Sequence, residues 1–373
     1  MNNLNDKIKA SLMFLSYFDT LGFNNSLWEF NFDNVSKIDS EAVANHIWNL
    51  ILHQYYAYGG NSINISKWIA SDDTILAIII SEGCLNGGKE SDYFKSFKKY
   101  NKILNQDERH AGVNTINTLK KLYKLKDVEK INYDSNMGGN GAAIRTSPIG
   151  LIYYQEKDLD KLLNESILSS RMTHNYPLGF LSGVVTALFT SYAIRNINPE
   201  LWCDKLLKLN ESGKIDKIIK KTSIYKKYLK DKDEFWNVWY EYKEKRQDNF
   251  DINKDKFNFG LVRIKDLKKY TLSVTKSNDY SKWGASGVGA LIIAYDSLRL
   301  STYFVNKEIK MNIDSLIYFA VLHFGDNDST GAIAGAWLGA FNGFKNFDKT
   351  KMEQLEFYKK LENISDNIYK KIK

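Results

Sequence analysis

Cysteine is nearly absent from this chain: Cys84 and Cys203 are the only two in 373 residues. A disulfide scaffold is excluded, and a reducing, intracellular compartment is the expectation. Proline is equally scarce, with three in the whole sequence, so little interrupts long helices. No run approaches about 18 consecutive apolar residues, so no membrane association is expected. The N-terminal apolar stretch is short, lacks a small-residue cleavage pattern and contains Asp19, so it does not read as a signal peptide. There is no HExxH, Walker A or dinucleotide fingerprint, and no internal repeat. An arginine-rich stripe is also missing. The net charge of +8 comes from 52 basic residues, mostly lysines, dispersed among 44 acids. That is a solvated surface, not a dedicated nucleic-acid reader.

What is present is apolar and aromatic mass, 43% and 14% of the residues, enough for a sizeable core. Apolar spacing predicts helices over 5–18, 41–57, 72–85, 93–103, 110–124, 158–170, 177–193, 284–300, 314–323 and 350–372. Asp19-Thr-Leu-Gly22 is expected to end or interrupt the first. Ser71 or Asp72 caps the third, Gly87-Gly88 stops it, and Pro177 suits a first helical turn. Residues 204–248 read as peripheral amphipathic helices and 249–282 as a polar, irregular stretch. The expectation is one soluble, all-α domain over 1–373, with 204–282 its least regular part, and a monomer.

Two segments carry chemistry. Ser71-Asp72-Asp73-Thr74 and Asp326-Asn327-Asp328-Ser329-Thr330 each set carboxylates beside hydroxyls at the start of a very apolar helix. Helix capping accounts for one such cluster. Two clusters hold more carboxylate than caps need, and hard oxygen donors suit Mg²⁺, Ca²⁺ or Mn²⁺. If the two helix starts converge, four acids can hold one metal or a close pair. Glu29, between Trp28 and Phe30, is either a partly desolvated carboxylate suited to proton transfer or a surface group flanked by packing aromatics. The Gly138-Gly139-Asn140-Gly141 run can expose backbone N–H groups to a ligand.

In order along the chain, Asp19-Thr-Leu-Gly22, WEF at 28–30, SDDT at 71–74, GGNGAAIR at 138–145, SRMTH at 170–174, IAYDSL at 293–298 and GDNDSTGAIAG at 325–335 resemble the ADP-ribosylglycohydrolase family. The similarity is strongest to its ADP-ribosylarginine hydrolase branch. The resemblance implies a compact orthogonal helical domain, divergent at 204–282, and a hydrolase that removes ADP-ribose from arginine on modified proteins or from free ADP-ribosylarginine. It implies two Mg²⁺ ions, with Mn²⁺ as a substitute, held by Ser71, Asp72, Asp73, Asp326, Asp328 and Ser329. Glu29, Asp72, Asp73 and Asp328 are the implied catalytic residues. Gly138, Gly139, Asn140, Gly141, His174, Trp283, Gly284, Ser286 and Gly287 are the implied substrate contacts. Two departures stand out. The branch's histidine-aspartate pair reads Val288-Gly289 here, which bears on substrate contacts. A family Gly-Gly reads Phe324-Gly325, which bears on pocket width. The competing readings are an ADP-ribose-binding relative without turnover and a helical interaction protein without metal chemistry.

Overall fold

Where apolar spacing predicts helix, helix forms. The computed structural model describes residues 4–31, 37–255, 259–272, 275, 277–306 and 308–373. The first half holds α1 (Leu4–Phe23), α2 (Glu41–Ala57), α3 (Asp72–Leu85), α4 (Glu90–Leu104), α5 (Val113–Leu125), α6 (Ser147–Ile152), α7 (Leu159–Arg171) and α8 (Pro177–Ile194). The middle holds α9 (Trp202–Glu211), α10 (Lys214–Ile219), α11 (Tyr225–Asp231), α12 (Asp233–Tyr242), α13 (Ile252–Asp255) and α14 (Leu261–Thr271). The last are α15 (Gly287–Leu300), α16 (Ile313–Ala320), α17 (Asn327–Asn342) and α18 (Tyr358–Ile372).

The centre is the packing of α17 along α1. Gly331, Gly335 and Gly339 lie four apart on one face of α17, and the α1 backbone presses against it. A Cβ on Gly335 would lie 2.4 Å from the Phe14 carbonyl oxygen, and one on Gly339 2.3 Å from that of Ala10. Beside this pair runs α8. By length and composition it could cross a membrane, but all 18 of its residues are buried here, as in a core helix. It packs against α6, α7, α15 and α17.

Several expectations need correction. Asp19-Thr-Leu-Gly22 does not end the first helix. All four residues are buried within α1, which runs on to Phe23, and the Asp19 carboxylate that would favour a break takes its donors from the start of α3 instead. The aromatic face of the amphipathic 204–248 segment packs on the main domain: Trp239 lies on Phe189 of α8, with ring centroids 5.7 Å apart. The polar stretch 249–282 contains α13 and α14, although 256–258, 273, 274 and 276 lie outside the described residues. It is pinned from within: buried Asp296 of α15 pairs with Arg246 at 2.9 Å and with Arg263 of α14. The fold is also not purely helical. Thr302–Val305 and Glu308–Met311 form an antiparallel hairpin, β1 and β2, at a site rich in β-branched and aromatic residues. The C-terminal stretch divides into a 3₁₀ turn (Lys349–Gln354) and α18.

Candidate metal centre and active-site cavity

The start of α3 is capped twice. Ser71 is extended, and its Oγ accepts the Asp73 N–H at 3.1 Å. The Asp19 carboxylate, buried in α1, accepts from the Ser71 N–H at 3.2 Å, from the Thr74 N–H at 3.1 Å and from the Thr74 hydroxyl. The Ser71, Asp73 and Thr74 N–H groups of the helix start are therefore satisfied without the Asp73 side chain, and among the described residues the Asp72 carboxylate bonds only to its own backbone N–H. One oxygen of Asp73, Oδ2, is buried with no hydrogen-bond partner among the described residues.

The start of α17 comes to the same place. The Asp326 N–H donates to the Trp283 carbonyl at 2.8 Å, and Asn140 Nδ2 donates to both Asp326 Oδ2 and the Gly284 carbonyl at 2.9 Å. Gly22 of α1 admits this turn. A Cβ there would lie 2.7 Å from the Asp328 backbone N and Cα. Glu29 arrives on a 3₁₀ turn (Glu29–Asn31) that is tied down by the Phe30 N–H donating to the Gly325 carbonyl at 3.0 Å. Glu29 Oε2 lies 2.8 Å from His110 Nδ1.

Carboxylate oxygens of Glu29, Asp326 and Asp328 all fall within 4.8 Å of one another, close enough to share one ion. Asp72 and Asp73 face the same cavity of about 340 Å³, along with Ser329, Gly139, Asn140, Gly141 and His174. Asn114, Gly139, Lys282 and Ala285 also line an adjoining groove of about 810 Å³, where Gly138 and Ser286 lie. Four implied site residues line neither space. Ser71 is the buried cap described above. Trp283 is buried against Phe324, with centroids 5.4 Å apart. Gly284 lends its carbonyl to Asn140, and the Gly287 N–H donates to the Gly138 carbonyl at 3.0 Å. Both departures from the branch pattern lie behind the wall as well. Val288 and Phe324 are fully buried and line neither space.

Negative charge is concentrated here, with Arg145 acting against it at Asp72 and Lys282 at Asp326. Burial, then mutual repulsion, raises Asp72 to about 7. Burial raises Asp19 and Asp326 to about 6, against hydrogen bonds that lower them. Glu29, Asp73 and Asp328 are pushed well up, by burial first and neighbouring carboxylates second. No lysine or arginine among the described residues forms an ion pair with Asp72, Asp73, Asp326 or Asp328. Such a set is costly alone and suits a hard divalent cation, which takes oxygen donors and offsets the repulsion. The orphaned Asp73 oxygen is the clearest sign of that fit. His174 differs: burial, then Arg145, lowers it to about 3, so it is neutral at pH 7. Its Nδ1 lies 2.8 Å from Thr173 Oγ1.

The ADP-ribosylglycohydrolase family model matches residues 1–373. The chain belongs to that family. An ADP-ribosylhydrolase ARH1 of Dictyostelium discoideum is 33% identical over 97% of this chain and 93% of its own length. A protein of Acanthamoeba polyphaga mimivirus that carries the ADP-ribosyl glycohydrolase name is 29% identical over 95% of this chain and 68% of its own. A solved ADP-ribosylglycohydrolase-related protein complex matches with a TM-score of 0.60 over 100% of both chains at 16% identity. At that identity the match establishes the mostly helical family fold alone. Three residues of this family member's site escape a reading of motifs. Asp19 lies in a matched segment but reads there as a helix end. His110 and Lys282 lie in no quoted motif and reach the cavity only by packing.

Proposed function

We propose that this chain, acting as one catalytic unit, is a Mg²⁺-dependent hydrolase that cleaves the bond between ADP-ribose and arginine on modified proteins. The observation that carries this reading is the meeting of five carboxylates, Glu29, Asp72, Asp73, Asp326 and Asp328, in one cavity. Arginine as the leaving group rests on the branch resemblance and on the ADP-ribosylhydrolase ARH1 relative. Two Mg²⁺ ions, or Mn²⁺ in their place, would be held by Asp72, Asp73, Asp326, Asp328 and Ser329. Glu29 is in reach of one of them, and Ser71 could contribute only the lone pair that its capping bond leaves. When bound, such ions supply positive charge that orients ribose hydroxyls and lowers the pKa of water.

The chain's own groups do the rest. Water adds to C1″ of the ribose, the C1″–N bond breaks, and a proton goes to the departing guanidine nitrogen. Glu29 takes the proton from water as general base. The backbone of 139–141 and Asn140 line the cavity for the sugar and phosphates, with Asn140 locked between Gly284 and Asp326. Val288 and Phe324, buried behind the wall, leave this arrangement intact.

The decisive experiment is turnover on ADP-ribosylarginine, ADP-ribosylserine and O-acetyl-ADP-ribose, each with and without Mg²⁺. Arginine-linked substrate should be cleaved fastest and only with metal. Faster release from serine overturns the leaving-group assignment. Saturable Mg²⁺ and ADP-ribose binding without turnover of any of the three makes the chain a binding protein.

A further inference from the structure

Acidic side chains outnumber basic ones in both the cavity and the groove beside it. Asp134 and Glu234 line the groove, and the five acids described above line the cavity. Among the described residues, Lys282 is the only lysine or arginine lining either space, and it lines both. It follows the 3₁₀ cap made by Asp279 and stands exposed where the two spaces join. Its Nζ lies 5.7 Å from the centroid of the Phe30 ring. No ion pair or hydrogen bond engages the ammonium among the described residues. His174 is neutral and cannot share this task.

We propose that Lys282 is the anion-binding residue of this site and receives the diphosphate of a ligand laid across cavity and groove. The inference rests on the ADP-ribose reading above and deepens it. The ribose to be released lies among the acids, the nucleoside lies in the groove, and the diphosphate spans the junction. Among the described residues, a diphosphate there meets seven carboxylates and one lysine. The Asn140 N–H is taken by the Ala285 carbonyl, and among the described residues only Lys282 brings a full charge that does not depend on metal. A charge-assisted contact of this kind changes affinity by about 10-fold or more when removed. Exposed as it is, its contribution weakens with salt.

The test is calorimetric titration of ADP-ribose, ADP and adenosine into the unmodified protein, Lys282→Met and Lys282→Arg, at fixed Mg²⁺ and two salt concentrations. Lys282→Met should weaken ADP-ribose and ADP by about 10-fold or more and flatten their salt dependence. Adenosine should bind as before, and Lys282→Arg should retain most of the affinity. Equal binding of the diphosphates by Lys282→Met overturns the inference, as does an equal loss for adenosine, which would mark a structural role. If the unmodified protein binds ADP but not ADP-ribose, the ribose-end reading fails and Lys282 is judged on ADP. If it binds neither, both fail.

Discussion

Asp19 and Thr74 are 55 positions apart, yet the Asp19 carboxylate accepts the Thr74 N–H at 3.1 Å and the Thr74 hydroxyl as well. This bond lets a side chain from α1 cap α3. Asp73 is thereby released from capping, and both Asp72 and Asp73 face the cavity. The helix start and the metal-type cluster share one acidic sequence because a third acid, outside that sequence, does the capping.

Asp328→Asn separates binding from folding. It removes one of three carboxylates within reach of a single ion. Mg²⁺ affinity should fall by about 10-fold or more. Thermal stability without metal should hold or rise, because one buried like charge is gone. Calorimetric Mg²⁺ titration and melting in chelator check the two halves, and unchanged affinity would remove Asp328 from the site.

Stability should depend on pH in a direction set by the cluster. The folded-state pKa values of Asp19, Asp72 and Asp326 are raised to about 6, 7 and 6 from an ordinary 3.8. Between those limits the folded chain holds more protons than the unfolded one, so these groups lose stability as pH rises. His174 and His323, lowered by burial to about 3, act oppositely below their ordinary 6.5. The Mg²⁺-dependent part of the melting temperature isolates the carboxylates, because bound metal requires them ionised. That increment should be small at pH 5 and large at pH 7.5. A pH-independent increment would count against metal at this cluster.

Gly22→Ala should damage fold and site together. The added Cβ would sit 2.7 Å from the Asp328 backbone, where neither helix has a flexible side chain to yield. Overpacking of this kind costs about 1–3 kcal/mol. Urea unfolding should show that loss, and Mg²⁺ binding should weaken as the start of α17 is displaced. Unaltered midpoint and metal affinity would show that the two helices part easily.

Glu29→Gln keeps the size of the side chain and removes its charge. If Glu29 accepts the proton, turnover should fall by about 10²-fold or more, with ADP-ribose affinity and melting temperature little changed. If its main duty is to hold His110, 2.8 Å away, stability should drop while turnover persists. Kinetics and melting on the same preparation separate the two.

The family, the helical class and the two acidic turns are all legible in the sequence. Apolar periodicity, the Ser71 cap, Pro177 and the order of short motifs are encoded within a few residues of one another, and local physics determines them. The glycine spacing of 331, 335 and 339 likewise marks a helix built for close approach. Tertiary structure alone decided the rest. Asp19 reads as a helix breaker until α3 supplies donors for its carboxylate. The apolar face of 204–248 is legible, but that Trp239 lands on Phe189 is decided by packing. Val288 and Phe324 read as pocket changes until both prove fully buried. Lys282 and His110 carry no motif and line the cavity only because distant segments fold around it. Local spacing determines which face a helix buries, but which face of which other helix covers it depends on packing between segments dozens to hundreds of residues apart.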